Sequence, residues 1–170
     1  MPNPSSSELI APSIAGQFKY AKLGQVLSAI KLLGFNKLAE VAEGAEEVAL
    51  KESRELAEKG FLISSCCPAF VDYIEKNFPD LKDHVSKNLS PAGTLAKRIR
   101  SVDENAKIVF IGPCTAKKRE FMRDEYRGTV DCIITFEELQ ALIDSKDIDV
   151  TNLPEQALES SSYFGRVFAR

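Results

Sequence analysis

Three cysteines in two short stretches are the residues of this sequence best suited to chemistry. Cys66 and Cys67 are adjacent and precede Pro68, and Cys114 follows Pro113. Each stretch comes after an apolar run and before a helix-like run, so we expect the thiols at helix N-termini. The free N–H groups and the dipole of a helix N-terminus favour a thiolate over a thiol. Two turns of this design are typical of a thiolate metal site; the alternative is that the cysteines are small buried apolar residues.

The apolar runs before the cysteines predict strands that deliver the thiols to one edge of a sheet. Residues 61–64 are expected to form a strand that stops before the cysteine pair, and residues 108–111 a fully buried strand. Parallel sheets bind their ligands beyond the carboxyl ends of the strands. We therefore expect Cys67 and Cys114 to share one rim.

The rest of the chain alternates strand and helix patterns, which predicts an α/β fold with a parallel sheet of four to five strands flanked by helices. Further strands are expected at 8–11, 38–41 and 132–134, and helices at 14–33, 44–59, 68–78, from residue 91, at 115–122 and from residue 136. Ser90 is a predicted N-cap, and Thr135 with Glu138 forms a predicted capping box. Gly60 is expected to end the helix before it.

Length and composition limit the class of protein. The chain has 170 residues, 44% of them hydrophobic, and a net charge of −3, so a core needs no disulfide. Apolar runs fall short of the ~20 residues that cross a bilayer, and we expect no secretion signal, since nothing N-terminal resembles one. We therefore expect a cytoplasmic protein with reduced cysteines that neither inserts into membranes nor binds nucleic acid. The short basic run 117–119 is expected to be a solvated helix face.

We divide the chain into three parts on the basis of these patterns. Residues 1–7 are rich in proline, asparagine and serine and are expected to be disordered. Residues 8–145 are expected to form the α/β lobe. Residues 146–170 are expected to be a polar linker followed by a truncated C-terminal segment.

The two cysteine stretches resemble a known family. SCCPAFV at 65–71 and PCTAKKRE at 113–120 are similar to the first two signatures of the iron-only ([FeFe]) hydrogenase catalytic domain. Residues 10–13 resemble the family's first cluster-facing loop, and further similarity extends from about residue 8 to 170. The resemblance implies that the chain is one lobe of that domain and carries two of its three signatures.

The resemblance also implies roles for individual side chains toward the H-cluster, which is a [4Fe-4S] cubane joined to a di-iron subsite. Cys67 and Cys114 match two of the four cubane ligands, and Cys66 matches the thiol that exchanges a proton with the di-iron site. Lys117 matches the lysine that hydrogen-bonds an iron-bound cyanide. Other positions match residues that contact the cofactor: Ala11, Pro12, Ser13, Gly112 and Pro113.

Three further residues fall where the family has its proton relay: Glu52, Glu55 and Ser86. The alternative for each is a solvated helix or loop residue. Glu120 is either the partner of a lysine or a surface charge. The implied partners are H2 and protons, an electron carrier such as ferredoxin or a fused iron–sulfur domain, and hydrogenase maturation proteins.

Departures from the family pattern have consequences. Phe70 stands where the family commonly has tryptophan and Gly112 where it has methionine, as in the proposed sensory subgroup. The third signature, with two more cysteines, does not occur here, and Cys132 is expected to be a buried structural thiol. We therefore expect this chain alone to be metal-free and inactive, although its parent is a hydrogenase.

Other classes of function stay open at this point. An iron–sulfur assembly or scaffold protein would keep the cubane ligands, but it would have no use for Lys117 with Cys66. A thiol redox module or zinc site fits poorly, because the vicinal pair lacks Cys-x-x-Cys spacing and the lone His84 is expected at the surface. An uncovered apolar face could also serve protein–protein docking.

Overall fold

A computed structural model describes residues 6–158 and shows a four-stranded parallel sheet. The strands are β1 (Ser6–Ile10), β2 (Lys37–Glu40), β3 (Lys107–Gly112) and β4 (Cys132–Thr135). Their order is β2-β1-β3-β4, so the first strand lies between two later ones. In register, Leu9 of β1 is opposite Ala39 of β2 and Phe110 of β3. The predicted parallel α/β architecture is confirmed.

Seven helices flank this sheet in the described part of the chain. They are α1 (Ile14–Gln17), α2 (Leu23–Leu32), α3 (Ala42–Lys59), α4 (Pro68–Asn77), α5 (Pro91–Val102), α6 (Ala116–Glu120) and α7 (Phe136–Asp144). Short 3₁₀ turns occur at Pro79–His84, Asp124–Tyr126 and Val150–Asn152. α3 packs on α5, and α5 in turn packs on β1, so the core lies between these helices and the sheet.

Several helix ends follow directly from local sequence signals. Thr135 Oγ1 accepts a hydrogen bond from Glu138 N, and the Glu138 carboxylate accepts one from Thr135 N, which is the predicted capping box. Ser90 caps α5 by accepting from Gly93 N. Gly60 ends α3 with a φ of 73°, which only glycine adopts without strain.

The strand expected at 61–64 is wrong. Within the described residues this segment makes one isolated β-bridge, in which Ile63 N donates to His84 O and Ser86 N donates to Ile63 O, each at 2.8 Å. The sheet has no place for the segment beside β1, because β2 and β3 already pair with both of its edges. The cysteine pair therefore follows a loop that side chains hold, and the second cysteine stretch alone follows a sheet strand.

Two other expectations also need correction. The single helix expected at 14–33 is interrupted between α1 and α2, where buried Phe18 packs edge-to-face on Tyr20 and Phe136. The side chain of Cys132 is exposed, because it opens β4 at the edge of the sheet, so it is not a buried structural thiol.

The two ends of the chain are only partly described. Ser6 and Ser7, which belong to the expected disordered segment 1–7, form the start of β1. In the expected linker, Gln156 N donates to Gly24 O and Ser28 Oγ donates to Pro154 O, so this stretch lies along α2. The remaining residues of both segments, 1–5 and 159–170, lie outside the described residues. No helix among residues 6–158 combines the length and apolar character of a membrane span.

Candidate cofactor cleft

The residues after the carboxyl ends of β1, β2 and β3 enclose a cleft of about 210 Å³. Its walls include most of the positions selected from the sequence: Ala11, Ser13, Cys66, Cys67, Pro113, Cys114 and Lys117. Val41, Pro68, Pro91, Ala92 and Phe110 complete the lining. Pro12 and Gly112 are not among the lining residues. The cleft thus lies at the edge of the sheet where parallel α/β folds bind their ligands.

Three cysteines meet in this cleft although Cys114 is far from the other two in sequence. Cys67 is the N-cap residue of α4, with Pro68 at the first helical position, and Cys114 lies just before α6. Cys66 and Cys67 are exposed, whereas Cys114 is partly buried. Cys66, Cys67 and Cys114 all line this one cleft, as the shared-rim hypothesis requires.

The loop that carries Cys66 is held by hydrogen bonds rather than by the sheet. Glu52 Oε1 on α3 accepts from Ser64 Oγ at 3.0 Å and from Ser65 N at 3.1 Å. Ser65 Oγ donates to Asn88 O at 2.7 Å, which ties the loop to the segment before α5. Ser64, Ser65 and Asn88 were not selected from the sequence. For the two serines, the only local signal is that they directly precede the cysteine pair.

Lys117 lies in the cleft wall with its side chain partly buried and is not part of a solvated helix face. Its Nζ donates to Glu120 Oε2 at 2.7 Å, to Ser90 Oγ at 3.0 Å and to Cys66 O at 3.5 Å. The Lys117 side chain is 12% exposed and the Glu120 side chain 2%. Glu120 is therefore the buried partner of a lysine, which decides between the two alternatives for it. The ammonium group links the two cysteine stretches through the Cys66 carbonyl.

Tyr126 also contacts the group formed by Lys117, Ser90 and Glu120. Its hydroxyl oxygen accepts from Ser90 N at 2.8 Å. Burial, together with the nearby charge of Glu120, raises the pKa of Tyr126 to about 12, so the phenol stays protonated at neutral pH. A Cβ atom on Gly93 would lie 2.3 Å from Tyr126 Cε1, so this close approach requires glycine. Sequence alone offers no signal for the link between Ser90, Tyr126 and Lys117, because it joins three separate elements.

The three residues expected to form a relay lie near one another on the side of the cleft toward α3. Ser86 Oγ donates to Glu55 Oε2 at 2.8 Å, and Lys59 Nζ donates to Glu55 Oε1 at 2.7 Å. Burial opposes ionisation of Glu55, but the hydrogen bonds from Lys59 and Ser86 outweigh it and lower the pKa of the Glu55 carboxyl. Ser86 is buried and both glutamates are partly buried, and their roles in a relay stay a prediction.

Gly112 is glycine because a phenylalanine ring occupies the adjoining space. A Cβ atom at position 112 would lie 2.5 Å from Phe110 Cε1 and 2.6 Å from Phe110 Cζ. A methionine there would require the Phe110 ring, which lines the cleft, to move. This packing accounts for the departure from the family pattern at this position.

His84 and the fourth cysteine are not part of the cleft. The His84 ring lies 5.1 Å from the Phe61 ring and is partly buried, rather than a fully exposed surface residue. Among residues 6–158, no group of three or more histidine, cysteine and acidic side chains is arranged to hold a metal ion.

Comparison with known proteins gives one family. The family profile described as "Iron only hydrogenase large subunit, C-terminal domain" matches residues 7–170. The cytosolic Fe-S cluster assembly factor NAR1 of Botryotinia fuckeliana is 34% identical over 140 residues, which are 71% of this chain and 24% of that protein. The NADP-reducing hydrogenase subunit HndD of Solidesulfovibrio fructosivorans is 29% identical over 161 residues, which are 81% of this chain and 28% of that protein.

Solved structures agree with this result. The [FeFe]-hydrogenase HydA(deltaEFG), a structure that concerns stepwise H-cluster assembly, aligns with a TM-score of 0.78 at 25% identity. The alignment covers 92% of this chain and 46% of the solved chain. This chain spans about a quarter of the length of the two curated relatives and less than half of the solved one.

Proposed function

The chain belongs to the iron-only hydrogenase large-subunit family, and we propose that it forms the lobe of a hydrogenase catalytic domain that supplies two of the four cubane ligands of the H-cluster. The observation that carries this proposal is the convergence of Cys66, Cys67, Cys114 and Lys117 on one cleft. Homologues that are hydrogenases and homologues that are assembly factors both match the chain, so the reaction itself is our inference.

The donor set of the cleft fits one side of an iron–sulfur cofactor. Iron–sulfur clusters are held by cysteine thiolates, and Cys67 and Cys114 offer two of them on the same rim. The H-cluster, when bound, would supply the electron transfer and the reduction of protons to H2. A four-ligand cubane needs two more thiolates than this rim provides, so we infer that the 170-residue chain alone holds no complete cofactor.

The other cleft residues would bind and orient the cofactor. Lys117 presents a fixed ammonium group, because Glu120 and Ser90 hold it, and such a group suits anionic cyanide ligands. Ala11 and Ser13 line the same cleft. We propose that Pro12, Gly112 and Pro113 complete this contact by the backbone shape of their loops.

We propose that protons travel from the Cys66 thiol through Glu52, Ser86 and Glu55 toward solvent. Glu52 is hydrogen-bonded to both residues that precede Cys66, and Ser86 donates to Glu55. Glu55 also accepts from Lys59, which is partly exposed at the end of the helix. These bonds give each carboxylate a fixed orientation, which a relay requires.

The proposal also implies partners and a location for the intact protein. The intact protein would exchange electrons with a ferredoxin-like carrier or fused iron–sulfur domains, and it would receive its di-iron subsite from maturation proteins. We infer a cytoplasmic location, in accord with the cytosolic relative. Gly112 and Phe70, which depart from the family pattern, favour a slow enzyme that senses hydrogen or redox state.

A second candidate function is iron–sulfur cluster assembly without hydrogen chemistry, which the similarity to NAR1 favours. The two candidates differ in what they need from Lys117 and Cys66. A scaffold would use Cys67 and Cys114 alone, whereas a hydrogenase also needs a proton-exchanging thiol and a cyanide anchor. Both extra residues line the cleft here, so we prefer the hydrogenase.

The deciding experiment is expression of the full natural reading frame with hydrogenase maturation proteins. We expect the purified protein to contain iron and sulfide and to evolve H2 from reduced methyl viologen. A protein with a full complement of iron and sulfide but no H2 evolution would establish the assembly function instead. A rate equal to that of fast hydrogenases would leave the hydrogenase proposal standing and refute the sensory one.

A further inference from the structure

We propose that Asp72 is a positioning residue that sets the separation of the Cys67 and Cys114 thiols. This inference rests on the proposed function for its purpose, but its geometry and its test do not depend on hydrogen chemistry. Asp72 lies on α4, which begins directly after Cys67. Its carboxylate pairs with two arginines on the segment that follows Cys114.

The need for such a residue follows from how unequally the two cysteine stretches are anchored. Cys114 follows β3, a central strand that pairs with both β1 and β4. Cys67 follows a loop whose one β-bridge, within the described residues, joins Ile63 to Val85. The thiol at position 67 therefore has no strand to fix its place relative to the sheet.

The helix that follows Cys67 is also detached from the main core. α4 makes its principal contacts with the turn Pro79–His84 and with α6. Val71 and Ile74 are buried on α4, but they are not members of the core cluster that covers the sheet. Side-chain bonds to α6 and the residues after it must therefore fix this helix relative to Cys114.

Asp72 makes those bonds in a partly buried position. Arg123 Nη2 donates to Asp72 Oδ1 at 2.6 Å, and Arg119 Nη1 lies 3.3 Å from Asp72 Oδ2. The side chains of Asp72 and Arg123 are 18% and 33% exposed, so solvent screens this pair less than it screens a surface pair, whereas Arg119 is 69% exposed and contributes less. Arg123 also lies 3.7 Å from Glu75, one turn further along α4. One carboxylate thus contacts both the last turn of α6 and Arg123, the residue before the 3₁₀ turn Asp124–Tyr126.

The other link between the two stretches is weaker. Lys117 Nζ reaches the Cys66 carbonyl at 3.5 Å, which is at the limit of a hydrogen bond. Removing the Asp72 charge should therefore loosen the thiol separation without unfolding the sheet. Supporting residues that leave a site about 1 Å too loose are a common cause of lost function.

The test measures the distance between nitroxide spin labels on Cys67 and Cys114 in the 170-residue chain from the dipolar broadening of continuous-wave EPR spectra in frozen solution, because two residues that line one cleft lie too close for double electron–electron resonance. Cys66 and Cys132 are replaced by serine so that two labels remain. We expect Asp72→Asn to broaden the distance distribution about twofold and Asp72→Glu, which keeps the charge, to restore most of its narrowness. The matched control is Asp124→Asn, which removes a carboxylate from the pair with Arg127, in which the two side chains are 89% and 78% exposed.

Each outcome decides the proposal. Broadening in Asp72→Asn but not in Asp124→Asn supports it. An Asp72→Asn distribution as narrow as that of the parent overturns it, even if the melting temperature falls, because the role would then be structural alone. If Asp72→Asn fails to fold by circular dichroism, Arg123→Gln provides the same comparison. Failure of the hydrogen evolution experiment would leave this result unaffected.

Discussion

The buried pair of Lys117 and Glu120 gives the sharpest stability prediction. In Lys117→Met the carboxylate of Glu120, 2% exposed, would lose its cation. Lys117 donates to Glu120 Oε2, and the other carboxylate oxygen, Glu120 Oε1, has no hydrogen-bond partner among the described residues. The variant would therefore contain a buried carboxylate that has lost its cation and keeps the Tyr126 hydroxyl as a hydrogen-bonding neighbour.

The size of the effect follows from this burial. Removing one partner of a buried ion pair costs about 3 to 5 kcal/mol. Because Lys117 is still 12% exposed, so that some water reaches the site, we expect the lower limit, about 3 kcal/mol. For a domain of this size that corresponds to a fall in melting temperature of roughly 6 to 12 °C.

The assay is urea and thermal unfolding followed by circular dichroism. Lys118→Met is the control, because Lys118 is the neighbouring residue on α6 and its ion pair is more exposed. The Lys118 side chain is 39% exposed and that of its partner Glu138 is 47% exposed. We expect that control to lose at most about 1 kcal/mol. The double variant Lys117→Met/Glu120→Met should recover most of the loss, because it removes both charges. Equal losses in Lys117→Met and Lys118→Met would refute the reasoning.

Two further predictions concern the scaffold. Burial raises the pKa of Glu8, which is 0% exposed on β1, from 4.5 to about 7, so its folded state favours the protonated form and stability should fall as pH rises from 4.5 through 7. Glu8→Gln should therefore be more stable than the parent by about 3 kcal/mol at pH 8 and equal to it near pH 4, and a difference independent of pH in urea unfolding would contradict this. A Cβ atom on Gly44 would lie 2.1 Å from Pro91 O, so Gly44→Ala should cost about 3 kcal/mol as α3 and α5 move apart. Gly16→Ala, where nothing lies within 4 Å, should change the free energy of unfolding by less than about 1 kcal/mol, and equal losses would count against the packing argument.

The features that sequence predicts well here are those encoded within a few neighbouring residues. The capping box of Thr135 and Glu138, the N-cap Ser90 and the terminating glycine Gly60 all occur as expected. Each depends on side chain to backbone bonds or a φ angle within one turn. The parallel sheet was also predictable, because its central strand β3 is a continuous apolar run.

The features that sequence missed depend on contacts between distant segments. The run 61–64 has the composition of a strand, but whether it pairs is decided by β2 and β3, which already flank β1. The break between α1 and α2 depends on the packing of Phe18 against Phe136, more than a hundred residues away. The residues that follow Cys132 form an apolar strand pattern, which predicts a buried thiol. Cys132 is exposed because β4 is an edge strand, and the position of a strand in the sheet is not encoded locally.

The residues of the candidate site also fall into two groups, those that a local motif identifies and those that only distant contacts identify. The cysteines and Lys117 were selected because residue type and local motif identify them. Ser90 and Asp72 gain their importance from partners 27 and 51 residues away, which no local pattern reveals. The structure therefore adds the residues that hold the chemistry in place rather than those that perform it.

The most direct test of the central claim is the iron and acid-labile sulfide content of cysteine variants of the full natural protein, purified after maturation. Cys67→Ala and Cys114→Ala should each lose the cubane iron, whereas Cys66→Ala should keep it and lose H2 evolution. Cys132→Ala, which changes an exposed thiol outside the cleft, should match the parent in both. Full iron and sulfide in Cys67→Ala and Cys114→Ala would contradict the claim that these two thiols bind one cofactor.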